Sequence, residues 1–262
     1  MGNEGIFIKQ FLLTPAAGKR LIGRSFLRFA SIRKALAERT VVIIAGTTNG
    51  YVAEELLGSI GQGADFSRKR FFRGVTLPPA YPVTESGRLS DETDFPGDVV
   101  INGGKWEKGL TVFDVADDLK QGDVIVKGVN ALNIDKKQAA VYIGDLKAGT
   151  SNVLMQAVLG RRVELYLTAN LEKRISGDLH YLARKLNAGN ASGPRLFPLA
   201  GNIVTELEAI EIITGAKAEL VAGGGVSGAE GSCWIAVSGS EKQIKTAENV
   251  INSVREEENF FV

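Results

Sequence analysis

The sequence predicts a three-layer α/β fold with a mainly parallel sheet, followed by a small α+β lobe. Between residues 41 and 168, short β-branched segments alternate with segments of helical periodicity, which is typical of a parallel sheet flanked by helices. A break rich in Gly, Asn and Ser then spans residues 187–193, and an α-β-β-α order follows it. We therefore expect a main domain over residues 1–190 and a lobe over residues 191–262.

The first predicted element is one amphipathic helix over residues 14–39. Apolar residues from Leu21 to Leu36 recur near helical spacing, and basic side chains surround them. We favour a solvated basic face whose apolar stripe packs on the sheet. Attraction of an anionic substrate is the alternative interpretation.

Two near copies of one strand motif lie within the alternating region, at residues 97–103 and 122–128. A short helical segment separates them, so we expect neighbouring parallel strands joined by a right-handed crossover. Asn102 and Lys127 would then lie side by side. The complete series has strands over 41–45, 98–101, 123–127, 139–143 and 163–168, and helices over 52–57, 112–119 and 151–159.

Two further segments depart from this alternation. Residues 66–96 contain four prolines and a basic cluster, and they predict a long excursion that is either a lid or a plain insertion. In the lobe, helices over 205–214 and 241–256 flank strands over 218–222 and 233–238. The glycine-rich run 223–231 predicts a flexible hairpin tip, with a main-chain ligand cradle as the alternative.

Composition limits the class of protein. The chain has 262 residues, with 31 Lys and Arg against 30 Asp and Glu, so its overall charge gives no reason to expect nucleic acid or an anionic membrane as partner. Cys233 is the single cysteine, which fits a reducing cytoplasm, and His180 is the single histidine. We expect a cytoplasmic protein without a membrane helix, a cofactor or a metal site.

Polar residues collect where predicted strands end, which is where open α/β sheets bind ligands. The loop at 46–50 also precedes a helix, whose first amides can hold an anion. We therefore predict a pocket for a phosphorylated or otherwise anionic small molecule. Turns and helix caps are the structural alternative, and Thr150 or Ser151 can cap a helix. The predicted ligand-binding residues are Gly46, Thr47, Thr48, Asn49, Gly50, Asn102, Lys105, Asn130, Lys136, Asp145, Thr150 and Ser151.

Two of these loops carry a family resemblance. Gly46-Thr47-Thr48-Asn49-Gly50 resembles the Gly-Thr-Gly-Ser-Thr-Ala loop of the superfamily of ribose-5-phosphate isomerase A, glucosamine-6-phosphate deaminase and the CoA-transferases. Residues 127–136 resemble its Lys-Gly-Gly-Gly-Gly-Ala-Leu-Leu-Arg-Glu-Lys segment with one residue fewer. The resemblance spans residues 41–168, and it departs at 102–105, where the acidic positions of the family are lost. It implies a Rossmann-like fold, with Asp135 as proton-transferring base and Lys127 stabilising an enediolate.

We therefore expect a homo-oligomeric protein that binds an anionic metabolite, with isomerisation or group transfer as its candidate reactions. An aldose–ketose isomerase needs a base near the carbon-bound proton and a cation near the developing oxyanion, and Asp135 and Lys127 meet that need. The alternatives are a non-catalytic ligand-sensing module and an oligomeric assembly protein, because fold does not fix function.

Overall fold

The computed structural model describes residues 5–73 and 95–260, and within them the chain is a mixed α/β protein. The described strands are β1 (Phe7–Leu13), β2 (Thr40–Ile43), β3 (Val99–Asn102), β4 (Lys105–Trp106), β5 (Val124–Gly128), β6 (Ala131–Asn133), β7 (Gln138–Ile143), β8 (Glu164–Thr168), β9 (Arg195–Leu199), β10 (Asn202–Val204), β11 (Lys217–Gly224) and β12 (Ser232–Gly239). The described helices are α1 (Pro15–Ser25), α2 (Ala30–Glu38), α3 (Thr47–Ser59), α4 (Val112–Val115), α5 (Gly149–Met155), α6 (Leu179–Leu186), α7 (Glu206–Thr214) and α8 (Glu241–Asn252).

The central sheet has six strands in the order β10-β8-β5-β2-β3-β4. The four strands from β10 to β2 are parallel, whereas β3 and β4 are antiparallel additions next to β2. The parallel strands are apolar on both faces, as the burial of β2 and β5 shows. Their carboxyl ends meet at one edge of the sheet.

The predicted pairing of the two near-copy strands is wrong. β5 lies parallel on one side of β2, with Val124 opposite Val41, and β3 lies antiparallel on the other side, with Ile101 opposite Val41. Asn102 pairs with Thr40 at the start of β2, so it lies at the amino ends of the parallel strands, whereas Lys127 lies at their carboxyl ends. The two copies specify a buried strand but not its direction.

What the copies do share is the role of the aspartate before each strand. The Asp98 carboxylate accepts hydrogen bonds from the Ala45 and Val112 amides at 2.8 Å each. The Asp123 carboxylate accepts from the Thr40 and Lys120 amides at 2.9 and 2.7 Å. Each carboxylate therefore joins the start of its strand to the backbone of two other segments by hydrogen bonds. This gives the repeated aspartate a structural role.

The single helix expected over residues 14–39 is two helices. α1 begins at the Thr14 cap, whose hydroxyl accepts from the Ala17 amide, with Pro15 in the first turn. Phe29 adopts an extended conformation, with φ −69° and ψ 125°, and separates α1 and the short 3-10 turn after it from α2. The Phe29 ring packs 5.1 Å from the Tyr166 ring, so aromatic packing against β8 accompanies the break.

Two smaller sheets complete the fold. β6, β7 and β9 form a separate antiparallel sheet. The alternating pattern predicted that β7 belongs to the central sheet, and this prediction is wrong. β11 and β12 form the predicted hairpin, and α7 and α8 flank it in the predicted order. β1 pairs antiparallel with β12, with Phe11 opposite Ile235, and extends the hairpin to a three-stranded sheet.

One buried apolar cluster extends through the described chain from Phe11 to Val254. It includes both central-sheet residues such as Ile125 and carboxyl-terminal residues such as Ile235, each with 0 % exposure. The boundary at residue 190 stays a prediction. None of the helices in residues 5–73 and 95–260 is long and apolar enough to cross a lipid bilayer.

Candidate active or ligand-binding site

A cavity of about 340 Å³ lies at the carboxyl ends of β2 and β5. Its walls come from the entry to α3, the end of β5, and the loop after β7. Arg73, Phe113 and Lys173 also contribute to the lining. The volume is within the range of small-molecule sites, which begins at about 300 Å³.

The start of α3 contributes Gly46, Thr47 and Thr48 to the lining. Gly46 is the residue before the helix and has no side chain to cap the first amides. These amides carry the positive end of the helix dipole. Thr48 is 1 % exposed, and its hydroxyl has no hydrogen-bond partner among the residues that the structure describes. A buried hydroxyl without a partner carries a free-energy cost in the ligand-free protein.

Asn49 and Gly50, also predicted to bind ligand, do not line this cavity. The Asn49 amide nitrogen donates to the carbonyls of Ile44 and Val126, and its oxygen accepts from the Thr168 hydroxyl at 2.6 Å. Asn49 thus ties together the ends of β2, β5 and β8. A methyl group added at Gly50 would lie 2.8 Å from Arg68 Cβ, so close packing requires glycine there.

Lys127 ends the buried run of β5 and is 8 % exposed. Its Nζ donates to Thr150 Oγ1 at 2.9 Å, and no carboxylate lies within ion-pair distance of it in the described part of the chain. Burial lowers its pKa to about 8; the charge of Asp98 opposes this shift, and that of Arg73 adds to it. Among the described residues, Lys127 therefore has no ion-pair partner that would offset the cost of burying its charge.

Two further cations line the cavity. Lys173 follows β8 in a 3-10 turn, donates to the Val129 carbonyl at 2.7 Å, and has its pKa lowered to about 8, first by burial and then by Lys19. Arg73 pairs with the fully buried Asp98 at 3.1 Å, while its Nε has no partner among the described residues. Sequence reasoning did not assign either residue to the site. Arg73 at least stood out within a basic cluster, whereas nothing local distinguishes Lys173.

The loop after β7 is held by its own polar groups. Asp145 accepts from the Lys147 and Gly149 amides at 2.7 and 3.2 Å. Ala148, at φ 61°, precedes α5. The expectation that Thr150 or Ser151 caps this helix is therefore wrong, because both lie inside its first turn. Both residues line the cavity, where the Thr150 hydroxyl accepts a hydrogen bond from Lys127 and Ser151 is 2 % exposed.

Asn130 also lines the cavity, at its exposed margin. Its side-chain oxygen accepts from the Tyr142 amide at 3.0 Å. This bond joins the segment after β5 to β7, so Asn130 supports the wall in addition to facing the opening.

Four predicted site residues lie elsewhere, which corrects the expectation of one shared pocket. Asn102 and Lys105 pair with each other across β3 and β4, and Lys105 forms an exposed ion pair with Glu107. Asp135 and Lys136 occupy the exposed turn between β6 and β7 and do not line the cavity. The sequence predicts one continuous ligand-binding loop over residues 127–136, but residues 131–133 form β6, which pairs with β7 as a hairpin.

Lys136 has a structural partner in that hairpin. Its Nζ donates to the Asp178 carboxylate at 2.8 Å, and this bond is the main reason that the pKa of Asp178 is lowered. The Lys136 amide also donates to Asn133 Oδ1 at 2.9 Å. The polar groups of the turn therefore hold the turn and the start of α6.

Among the described residues, the cavity lining has a positive charge balance. Arg73, Lys127 and Lys173 contribute the cations, and Asp145 contributes the carboxylate. Comparisons with protein-family models, with curated proteins and with solved structures find no match. Geometry and charge therefore supply the functional interpretation.

Proposed function

We propose that this chain binds a phosphorylated or otherwise anionic small metabolite in the cavity at the ends of β2 and β5. The observation that carries the proposal is the convergence of Arg73, Lys127 and Lys173 on one cavity beside the uncapped start of α3. Amides at a helix start and nearby cations together are the usual means of holding an anion without a metal.

The energetics of the two lysines support an anionic ligand. Burial lowers the pKa of both Lys127 and Lys173 to about 8, so their charged forms are destabilised in the free protein. A bound phosphate would favour the charged forms and offset that destabilisation.

Isomerisation or group transfer is the reaction class we propose if the protein is an enzyme. The resemblance of loop 46–50 and of Lys127 to the isomerase and CoA-transferase superfamily supports this choice. Lys127 would stabilise negative charge that develops on a substrate oxygen. Asp135 is left out of the proposal, because it does not line the cavity. A three-layer Rossmann-like arrangement, a homo-oligomer and a cytoplasmic location belong to the same proposal.

Non-catalytic ligand sensing is the second candidate function. Among the described residues of the cavity lining, Asp145 is the carboxylate, and its Oδ1 already accepts hydrogen bonds from two amides of its own loop. A site rich in cations but poor in free bases is sufficient for binding, while proton abstraction needs a positioned base.

Thermal unfolding with matched ligand pairs tests the proposal. Ribose 5-phosphate and ribose, or glycerol 3-phosphate and glycerol, differ in the phosphate that the site would hold. At 100 times its dissociation constant, the phosphorylated compound should add about 2.7 kcal/mol of stability, while its neutral partner adds little. For a chain of this size that corresponds to a Tm increase of roughly 5 °C or more.

Charge-removing variants then locate the effect. Lys173→Met should lower the affinity for the phosphorylated member of each pair by roughly tenfold or more, as expected when a charged hydrogen bond is lost. Lys105→Met is the matched control, because this lysine is at the opposite sheet edge with its side chain 71 % exposed. Equal losses in both variants, or equal stabilisation by both members of a pair, would contradict the proposal.

A further inference from the structure

We infer that Lys127 is a carbonyl-reactive amine, which forms an imine with a phosphorylated aldehyde or ketone bound in the cavity. This inference rests on the proposed function and narrows its ligand class. It assigns Lys127 a covalent role in place of a purely electrostatic one, and leaves phosphate binding to Arg73, Lys173 and the first turn of α3.

Position distinguishes Lys127 from other lysines of the chain. It extends from a buried strand into the cavity, and its Nζ is oriented by the Thr150 hydroxyl at 2.9 Å. Lys136, in contrast, is held in an ion pair with Asp178. Lys173 donates to the Val129 carbonyl at 2.7 Å, which a neutral amine can also do but which directs its nitrogen toward backbone. Lys127 is therefore the better placed nucleophile.

The surrounding groups favour the neutral amine that such a reaction needs. Burial is the main cause of the lowered pKa of Lys127. The charge of Arg73 lowers this pKa further, while the charge of Asp98 raises it. The Asp98 carboxylate is occupied by Arg73 and by the amides of Ala45 and Val112, so it does not form an ion pair with Lys127. With a pKa of about 8, roughly a tenth of Lys127 is neutral at pH 7, compared with less than about 0.1 % for an ordinary lysine.

The chemical step uses the amine, the carbonyl compound and a proton from solvent. The neutral Nζ attacks the carbonyl carbon, the carbonyl electron pair moves to oxygen, and a proton moves from nitrogen to that oxygen to give a carbinolamine. The carbinolamine hydroxyl then takes up a proton from solvent and leaves as water, which breaks the carbon–oxygen bond and forms a protonated carbon–nitrogen double bond. The Thr150 hydroxyl, at 2.9 Å from Nζ, is placed to transfer the proton. The protonated imine can accept electrons from an adjacent carbon, which suits isomerisation.

Reductive trapping tests the inference on the full chain. Glyceraldehyde 3-phosphate is added, sodium borohydride reduces any imine to a stable amine, and peptide mass spectrometry locates the adduct. We expect modification at Lys127 that excess glycerol 3-phosphate suppresses. At subsaturating ligand concentration, the rate of modification should rise as the pH passes through about 8, because that is where this amine loses its proton in the ligand-free protein.

Variants and a carbonyl-free ligand separate the two claims. Lys127→Arg should abolish the adduct, and Lys105→Met should leave it unchanged. Stabilisation by glycerol 3-phosphate without any adduct at Lys127 would overturn the imine and leave the proposed function standing. Modification spread evenly over exposed lysines would also overturn it. Absence of both stabilisation and adduct would overturn both.

Discussion

Replacing Lys127 with methionine should make the protein more stable at neutral pH. Lys127 is 8 % exposed and lacks a carboxylate partner in the described chain, so its ammonium group is costly to bury. A pKa of about 8 in place of 10.5 corresponds to a penalty of roughly 3 kcal/mol for the charged form. Loss of the Thr150 hydrogen bond costs about 1 kcal/mol. The expected net gain for Lys127→Met is therefore about 1 to 2 kcal/mol at pH 7.

The pH dependence identifies the cause of this gain. Because the pKa of Lys127 is lower in the folded than in the unfolded state, the unfolded chain binds more protons between about pH 8 and 10.5. The penalty is complete below about pH 8 and disappears as the pH rises toward 10.5. Stability of the parent should thus increase over this window relative to the variant.

Urea unfolding at pH 7 and pH 9.5, in buffers free of phosphate and sulfate, measures the difference. Lys105→Met serves as the control for removal of an exposed charge, because its side chain is 71 % exposed. The reasoning about Lys127 is refuted if Lys127→Met is less stable than the parent at pH 7. It is also refuted if the gain is the same at both pH values.

Three further predictions concern residues around the site. Asn49→Ala should destabilise the protein by about 2 to 4 kcal/mol in urea unfolding, because the Thr168 hydroxyl and two strand-end carbonyls lose a buried partner; a loss under about 0.5 kcal/mol would contradict this. Burial raises the pKa of Glu206 to about 8, so its ionisation should lower the free energy of unfolding as the pH rises from about 4.5 to 8. Glu206→Gln should remove that decline in unfolding titrations. If the variant shows the same decline, other groups cause it. Asp135→Asn should leave phosphosugar affinity within about twofold in calorimetry, because its side chain is outside the cavity lining; a tenfold loss would return it to the site.

Local patterns predicted some of the elements of this chain, although β1, β4, β6, β9 and β10 were not among the predicted strands. The β-branched run at residues 41–45 and its counterpart at 123–127 became β2 and β5, which are parallel neighbours in the central sheet. The order of helices and strands after residue 205 was also confirmed, including the glycine-rich hairpin. These features depend on side-chain periodicity and turn residues, which a sequence shows directly.

Strand direction and long-range contacts could not be predicted from these local patterns. β3 repeats the motif of β5, yet it runs antiparallel to β2, since direction depends on how the chain arrives rather than on the strand itself. The break at Phe29 accompanies packing on Tyr166, which is 137 positions later in the sequence.

The candidate site was predicted in part for the same reason. Thr47, Thr48, Lys127, Thr150 and Ser151 do share one cavity, as the strand-end rule suggested. Lys173 reaches it from a turn after β8 that carries no motif. Asp135 was placed next to Lys127 by similarity over a short stretch, but the pairing of β6 with β7 turns it outward. A three-residue strand within a polar run is too short to predict from periodicity.

A crystal structure with ribose 5-phosphate tests the central claim most directly. We predict phosphate density in the cavity, within hydrogen-bond distance of the first amides of α3 and the Lys173 amine, and loss of that density in crystals of Lys173→Met. Phosphate density outside the cavity would contradict the account. An empty cavity would also contradict it, if calorimetry shows that the protein is saturated with ribose 5-phosphate under the same conditions.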